Sequence, residues 1–224
     1  TSDKCYDNLE WVWGYRKTDA MGGPDPYSAS KGAAELAIRS HIKSYFLKEA
    51  TKVRIASARA GNVIGGGDWA EHRIVPDCVK AWSANKLVEL RNPHSTRPWQ
   101  HVLDPLHGYI KVLESSILGN DIVCLNFGPT DKSLNVSELV KIGIAHFPAL
   151  SDLTTDNTKP ESDLESISLG LNPGKSIAEL NWQPKWDQVE SISKTFIWWK
   201  KALDEKSNPE TICIQNIEEF LAQD

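Results

Sequence analysis

The sequence has few of the residues that form metal sites and disulfides. Its four cysteines include no Cys-x-x-Cys pair and show no regular spacing, which is typical of the reduced thiols of cytoplasmic proteins. Its six histidines lack the His-Glu-x-x-His and His-x-x-x-His spacings that zinc sites use. We therefore predict a cytoplasmic protein without a metal ion.

Further classes of protein are disfavoured by what the sequence lacks. No apolar run is long enough to span a bilayer, and the polar start Thr-Ser-Asp-Lys does not resemble a signal peptide. The formal net charge of −5 argues against a nucleic-acid-binding surface. A Gly-x-Ser-x-Gly elbow is absent, which argues against a serine hydrolase of the α/β type.

What the sequence does contain is an alternation of buried strands and amphipathic helices. Lys52–Ala60 and Ile122–Phe127 are predicted as buried strands. Residues 1–4 are predicted as the end of another strand, and 87–90 as a short one. Apolar periodicity predicts helices over 26–48, 74–85, 104–116, 137–146 and much of 182–206. This alternation indicates an α/β fold.

The remaining segments are predicted as loops. Residues 5–25 and Gly61–Asp68 read as irregular glycine-containing loops, and 150–173 as a variable surface loop. The helix within 182–206 is expected to be the last one, followed by a solvated acidic tail at 218–224. Trp198 and Trp199 in that helix are expected to belong to the core.

The most informative local pattern is Tyr27-x-x-x-Lys31. A spacing of four places both side chains on one helix face, a single turn apart. An ammonium group beside the phenol favours the phenolate and lowers the tyrosine pKa from its ordinary value of about 10, so that tyrosine becomes a usable base near neutrality. Ser2, Asp3 and Lys4 lie upstream at a predicted strand end, where active sites of α/β proteins are found. We interpret the combination as an active site.

A second glycine-rich segment invites a different interpretation. Gly65–Ala70 formally matches the Gly-x-Gly-x-x-Gly/Ala loop of dinucleotide-binding folds, with Glu89 at the distance of a ribose-binding acid. Asp68 and Glu71, however, would place carboxylates where a pyrophosphate binds, and Pro76 would fall inside the helix. A loop that shapes a pocket is the better interpretation.

Several polar and aromatic side chains are candidates for ligand binding. Asn62 can offer its amide to a sugar or phosphate oxygen, the alternative being a turn residue after Gly61. Arg73 and Arg97 suit bidentate contacts to a diphosphate, the alternative being surface arginines stacked on tryptophan. Three tryptophans are predicted either to stack on a base or sugar ring or to belong to the core, namely Trp11, Trp13 and Trp69. His101 and His107 are predicted to be structural rather than catalytic.

Together these segments resemble the extended short-chain dehydrogenase/reductase family, and within it the nucleotide-sugar 4,6-dehydratases. The resemblance rests on Ser2-Asp3-Lys4, Tyr27-x-x-x-Lys31, the run Arg59–Trp69 and Arg97-Pro98-Trp99. Lys4, where the dTDP-glucose enzymes usually have glutamate, and the insertion Glu10–Arg16 are similar to the enzymes that act on CDP-glucose. The similarity extends over essentially the whole chain, but the βαβ unit with which the family begins is absent from it.

The resemblance implies the C-terminal part of a Rossmann-like parallel sheet plus a smaller mixed α/β lobe. Residues 1–61 are then expected to form part of the NAD-binding fold and to carry the catalytic residues. Residues 62–224 are expected to form the sugar-nucleotide-binding lobe, interleaved with remaining Rossmann elements at about 104–130. The N-terminal half of the same protein is the expected partner, and the chain alone is expected to be inactive.

The implied activity is that of a lyase. CDP-D-glucose would be converted to CDP-4-keto-6-deoxy-D-glucose with NAD, in deoxysugar synthesis for lipopolysaccharide O-antigen, by a homodimer or homotetramer. Tyr27, assisted by Lys31, would take the proton of the sugar 4-hydroxyl while Ser2 binds the same oxygen, and Asp3 and Lys4 would act as acid and base in the elimination.

The resemblance also implies binding roles. It places Tyr27, Lys31 and Arg59 beside the cofactor. It places a second set around the substrate, with the arginines on the diphosphate: Asn62, Arg73, Arg97, Trp69 and Val75. Two alternatives stay open, namely another epimerase or dehydratase of the superfamily and a non-catalytic fragment that binds sugar nucleotides.

Overall fold

The computed structural model describes residues 1–46, 53–90, 92–120, 124–147, 154–155 and 168–223. Its helices are α1 (Pro26–His41), α2 (Ile74–Ser83), α3 (Leu103–Ile117), α4 (Val136–Ile144), α5 (Gly174–Leu180), α6 (Gln188–Leu203) and α7 (Pro209–Leu221). Its strands are β1 (Ser57–Ala60), β2 (Val63–Ile64), β3 (Val88–Glu89), β4 (Thr96–Arg97), β5 (Gln100–His101), β6 (Cys124–Phe127), β7 (Leu134–Asn135) and β8 (Thr154–Thr155). A 3₁₀ turn at Asp3–Cys5 precedes α1, and a π-helical turn at Ile42–Phe46 follows it. Within the described ranges, no helix is both long and apolar enough to cross a membrane.

Local capping residues explain where several helices begin. The Asp25 side chain accepts a hydrogen bond from the Ser28 amide at the start of α1. Asn135 and Glu138 form a reciprocal capping box at the start of α4, and Asn208 caps α7. Each cap satisfies an amide that has no partner inside its own helix.

The chain divides into two compact units. The first contains residues 1–61, 104–130 and 168–184, and the second contains the described residues of 62–103, 131–167 and 185–224. The assignment of NAD binding to one part of the chain and of sugar-nucleotide binding to the other stays a prediction.

The first unit is built on parallel strands. β1 and β6 pair in parallel, with Arg59 opposite Asn126, and Ser2 forms a parallel bridge with Ala60. Helix α1 connects the Ser2 position to β1, and α3 lies between β1 and β6 in the chain. Parallel strands joined by helices make this an α/β fold, as predicted.

Two apolar clusters stabilise the first unit. One consists of Val112 of α3, Leu125 and Phe127 of β6, and Trp182, whose indole N–H donates to the carbonyl of Asp104 at 3.1 Å. The other lies under the loop that precedes α1, and its members are Cys5, Tyr6, Tyr15, Leu169 and Leu171. Backbone hydrogen bonds also fix that loop against residues 168–172, because the Tyr15 amide donates to the Gly170 carbonyl and the Asn172 amide donates to the Tyr15 carbonyl.

The second unit is held by a tryptophan-rich core. Trp198 and Trp199 of α6 are 6% and 1% exposed, which confirms that they belong to the core. Trp82 of α2 contacts Phe196 of α6, with ring centroids 5.4 Å apart. Short strands pair around this core, β2 with β5 and β3 with β8 in parallel, and β4 with β7 antiparallel.

Two predictions for the C-terminal region are wrong. Residues 218–221 are helical, in α7, rather than part of a solvated tail, and α6 is therefore not the last helix. Ile212 and Phe220 of α7 are 1% and 3% exposed, and the Phe220 ring packs edge-on against Trp186 at 5.2 Å. The acidic residues that suggested a tail cover only the outer face of the helix.

Two further predictions need correction nearer the sheet. The strand predicted at Lys52–Ala60 is restricted to Ser57–Ala60 among the described residues, and Val53 is 53% exposed. The surface loop predicted at 150–173 includes Leu169 and Leu171, which are buried against Tyr15. Most of 150–167, together with 47–52 and 121–123, lies outside the described residues.

His101 has the structural surroundings that were predicted, and it is expected to make the stability of the second unit pH-dependent. Its Nδ1 accepts a hydrogen bond from the Leu103 amide at 3.3 Å, and its ring packs against Trp186. Burial, helped by the charge of Lys194, lowers its pKa to about 4. The unfolded chain, with a histidine pKa near 6.5, then binds more protons at any pH between these values. We expect this unit to lose about 3 kcal/mol of stability as the pH falls from about 6.5 to about 4.

Chemical denaturation as a function of pH tests this expectation. His101→Gln should flatten the dependence between pH 4 and 6.5, whereas His94→Gln, a change at an exposed position, should leave it as in the wild type. An unchanged slope in His101→Gln would show that other groups cause the acid sensitivity.

Candidate active site

The first part of the site is the segment Ser2–Lys4, which leaves the sheet at the bridge to Ala60. The Ser2 hydroxyl donates to Asp3 Oδ1 at 2.9 Å and accepts from the Lys4 amide at 3.1 Å. The Asp3 side chain is 4% exposed. A Cβ on Gly61 would lie 2.4 Å from Asp3 Oδ2, so only glycine leaves room for this carboxylate.

The second part of the site is the N-terminal half of α1. Tyr27 and Lys31 lie one turn apart, with the Lys31 ammonium 5.2 Å from the centre of the Tyr27 ring. The Tyr27 side chain is 55% exposed, and Lys31 is half-buried. The phenol and the ammonium group therefore lie together on an accessible helix face, as the spacing predicts.

Gly32 brings the two parts together. A Cβ at this position would lie 2.7 Å from the Gly22 nitrogen and 3.2 Å from the Cys5 carbonyl oxygen. Gly22 in turn donates its amide to Cys5 at 2.9 Å. Because Gly32 has no side chain, α1 packs directly on the backbone that follows Ser2–Lys4. The residues predicted to be catalytic thus lie on two adjoining elements of one unit.

A buried ion pair behind this site was missed in the sequence. The Arg59 Nη2 lies 2.6 Å from Glu35 Oε2, and both side chains are 2% exposed. Arg59 also donates to the Tyr6 hydroxyl. The contact of Arg59 with the cofactor stays a prediction, but its guanidinium group has these internal partners. The available sequence signal was the position of Glu35, one turn after Lys31 on a helix that is otherwise short of large buried residues.

The residues predicted to bind substrate lie in the second unit. Arg97 is 7% exposed and donates to the Thr96 carbonyl at 2.8 Å, whereas Arg73 is exposed and immediately precedes α2. Asn62 has a φ of 49°, which is typical of a turn residue, and its side chain is half-buried. Substrate contacts of these three side chains stay predictions.

Two apolar members of the predicted substrate site differ in their surroundings. Val75 is 2% exposed and belongs to the core of the second unit, so its role in packing is clear while a substrate contact stays a prediction. Trp69 is 51% exposed, and its ring lies edge-on against Trp199 at 4.7 Å. Trp13 is also exposed, and Trp11 stacks on Tyr15.

The glycine-rich loop Gly65–Ala70 does not lead into a helix. Three residues separate it from α2, and the amide of Ala70 is bonded by the Asp68 carboxylate at 2.9 Å. Packing explains one of its glycines, because a Cβ on Gly66 would lie 1.9 Å from Trp198 Cδ2. This loop is built to fit the core, which agrees with the sequence argument against a phosphate-binding loop.

Gly66→Ala is expected to destabilise the second unit by about 1–3 kcal/mol, because the added methyl group displaces a buried indole ring. Urea denaturation measures the difference. Gly170→Ala is the matched control, since the nearest atom to its Cβ would be 4.0 Å away. Equal stability of the two variants would mean that the loop and Trp198 do not pack as the structure has them.

Comparison with known proteins supports the resemblance seen in the motifs. No protein-family model matches the chain. CDP-glucose 4,6-dehydratase of Salmonella typhimurium is 43% identical over 207 residues, which is 89% of this chain and 57% of that protein. The chain therefore spans a little over half the length of this relative.

Solved structures share the fold. The chain is similar to dTDP-glucose 4,6-dehydratase from Bacillus anthracis in complex with NAD, with a TM-score of 0.76 and 20% identity over 91% of this chain and 61% of that one. It is also similar to UDP-glucuronic acid 4-epimerase from Bacillus cereus in complex with UDP-glucuronic acid and NAD, with a TM-score of 0.74 and 13% identity over 90% and 60% of the two chains.

The chain thus has the Rossmann-like α/β fold of these solved dehydratase and epimerase structures. The more specific resemblance, to CDP-glucose 4,6-dehydratase, is confirmed by the identity over nearly the whole chain.

Proposed function

We propose that the protein containing this chain dehydrates CDP-D-glucose to CDP-4-keto-6-deoxy-D-glucose with NAD. The observation that supports this most strongly is that α1, which carries Tyr27 and Lys31, packs through Gly32 on the backbone of Gly22 and Cys5, next to Ser2–Lys4. The chain is also 43% identical to a CDP-glucose 4,6-dehydratase. Oxidation at C4 needs a base such as the Tyr27–Lys31 pair. The subsequent elimination of water needs an additional acid and base, which Asp3 and Lys4 offer.

The residues of α1 fit one end of the cofactor. Tyr27 and Lys31 offer a hydroxyl and an ammonium group on an accessible face, which suits the hydroxyl groups of the nicotinamide ribose. Gly65–Ala70 does not fit the pyrophosphate, because Asp68 places a carboxylate there. The chemistry that bound NAD would supply is hydride transfer, with hydride taken from C4 of the sugar and later returned to C6.

The first step assigned to this chain is proton removal. Tyr27, with Lys31 one turn away on the same helix face, is the base that accepts the proton of the 4-hydroxyl group as the C4 hydride departs. Ser2 donates a hydrogen bond to the same oxygen. The Ser2 hydroxyl bonds to Asp3 in the structure, so this step requires it to rotate toward the substrate.

The second step is elimination. The 4-keto group acidifies C5–H, so that Lys4, if neutral, removes that proton while Asp3, if protonated, gives a proton to the C6 hydroxyl as it leaves as water. Both groups must hold the protonation state opposite to their usual one, which burial favours for a carboxyl group. Asp3 is buried in this way, with 4% of its surface exposed.

The wider setting is part of the proposal. A 4-keto-6-deoxy sugar nucleotide is an intermediate for deoxysugars, and we place the reaction in lipopolysaccharide O-antigen synthesis in the cytoplasm, carried out by a homo-oligomer. The N-terminal half of the same protein would supply the remaining part of the NAD site.

Incubation of the protein expressed from its complete gene with CDP-D-glucose tests the function. Mass spectrometry should detect a sugar nucleotide lighter by one water, with no net consumption of NAD. A product of unchanged mass would instead indicate an epimerase, and binding without turnover would indicate a non-catalytic protein.

Arg97→Ala is expected to weaken binding of CDP-glucose by about 1.5–3 kcal/mol, the range for a charge-assisted hydrogen bond to phosphate. Free CDP should be affected to a similar extent, because the contact is to the diphosphate. Titration calorimetry measures both affinities, and the melting temperature of the variant controls for loss of structure at this buried position. Unchanged affinity for CDP would remove Arg97 from the diphosphate site.

A further inference from the structure

Helix α1 lacks the apolar face that usually fixes a helix to its sheet. Its buried residues are Ser28, Gly32 and Glu35, none of which is large and apolar. A large apolar side chain follows only in the next turn, at Ile42, which is 2% exposed. Since apolar packing normally determines how a helix lies on a sheet, the position of the Tyr27–Lys31 turn must depend on other contacts.

Glu35 supplies these contacts. Its Oε2 accepts from Arg59 Nη2 at 2.6 Å and from the Ser57 hydroxyl at 3.0 Å, both on β1. Its Oε1 accepts from the Thr1 hydroxyl, next to Ser2. Burial alone would raise the pKa of Glu35, but the hydrogen bonds from Arg59 and Thr1 more than offset it and leave the pKa below its ordinary value. The carboxylate is thus charged and connects α1 with two neighbouring strand segments.

Arg59 extends the connection to the segment on which the predicted acid and base lie. It donates to the hydroxyl group of Tyr6, the residue after the Asp3–Cys5 turn, and its guanidinium lies 5.1 Å from the centre of that ring. The Tyr6 hydroxyl donates in turn to Asn126 Oδ1 at 2.9 Å. One buried network therefore joins α1, β1, β6 and Tyr6, which lies two residues after Lys4.

A buried ion pair is weak evidence for stability. Apolar residues of similar volume usually stabilise a core at least as well as a buried ion pair, because two charges must be removed from water. What charged and hydrogen-bonded groups provide beyond apolar ones is direction.

We propose that Glu35 and Arg59 are positioning residues of the dehydratase, which fix α1 so that Tyr27 and Lys31 meet the substrate held beside Ser2–Lys4. This inference rests on the proposed function. It predicts that removal of both charges leaves the fold intact and the substrate affinity unchanged, while the chemical step slows. A displacement of about 1 Å in a catalytic group can slow a reaction by about 10²-fold.

The test is the double variant Glu35→Leu, Arg59→Met in the protein expressed from its complete gene. We expect a melting temperature near that of the wild type, a KM for CDP-glucose within about twofold, and a kcat lower by about 10- to 100-fold. The matched control removes the exposed ion pair Lys175–Glu179 of the same unit as Lys175→Met, Glu179→Leu, and should keep the wild-type kcat. Wild-type kcat in the Glu35, Arg59 variant would overturn the proposal.

Two measurements keep the test decisive. If the double variant does not fold, Glu35→Asp keeps the negative charge but shortens the side chain that carries it. This variant should lower kcat by about tenfold or more with KM unchanged. Wild-type kcat would again overturn the proposal. Hydrogen exchange of the α1 amides needs no substrate. It should speed up selectively in the double variant even if the wild-type protein does not dehydrate CDP-glucose, which separates failure of this inference from failure of the proposed function.

Discussion

Replacing Tyr27 by phenylalanine in the protein expressed from its complete gene is expected to lower kcat by about 10²–10⁴-fold, the usual effect of removing a general base. The ring remains to make its contact with Lys31, and only the proton acceptor is lost. Because Tyr27 is 55% exposed, the change should leave the melting temperature within a degree or two. Substrate affinity should also change little, so that the loss appears in kcat and not in KM.

Tyr45→Phe is the matched control for this variant. Tyr45 lies in the π-helical turn after α1 and is 61% exposed, so it loses the same hydroxyl group from the same unit without a proposed role. Steady-state kinetics with CDP-glucose compare the two variants. If Tyr27→Phe kept more than about a tenth of the wild-type kcat, Tyr27 could not be the base.

Asp3→Asn, Lys4→Met is expected to block product formation while the first hydride transfer continues. The proposed acid and base act only after C4 is oxidised, and the Tyr27–Lys31 pair is untouched. Absorbance of NADH should therefore rise in a single turnover and persist, because the intermediate cannot lose water and accept the hydride back. Formation of the deoxy product should fall by about 10²-fold or more.

The Tyr27→Phe variant serves as the opposite control in the same experiment. It should show neither NADH nor product, because it is blocked at the first step. If the Asp3, Lys4 variant lost hydride transfer as completely as product, the proposed division between oxidation and elimination would be wrong. Since Asp3 is buried next to Gly61, circular dichroism of the double variant must first show that the fold is retained.

Features encoded by short segments of sequence could be predicted. Pro26 and the separation of four residues between Tyr27 and Lys31 define a helix turn with both side chains on one face. This arrangement needs only local backbone geometry. The apolar periodicity of α2 and α3 predicted those helices nearly to their ends, because side-chain spacing along a helix is independent of what it packs against. The α/β class followed from the order of such segments.

Predictions failed where composition and packing conflict. The acidic residues near the C terminus suggested a tail, but Ile212 and Phe220 lie on one face of α7 and are buried, with Phe220 against Trp186. The cap at Asn208 was a local signal that could have indicated this helix. No local signal indicated that Leu169 and Leu171 would cover Tyr15, because that contact joins segments far apart in the chain.

By itself the sequence determined the fold class, the Tyr27–Lys31 pair and the resemblance to nucleotide-sugar dehydratases, since each depends on spacing or on residues in order. Only the tertiary structure decided that Gly32 brings α1 onto the backbone beyond Ser2–Lys4, that Gly66 makes room for Trp198, and that Arg59 pairs with Glu35. Each of these contacts depends on which distant residue occupies the adjoining space. A glycine or a charge in the sequence does not carry that information, because close packing selects the partner only when the chain has folded.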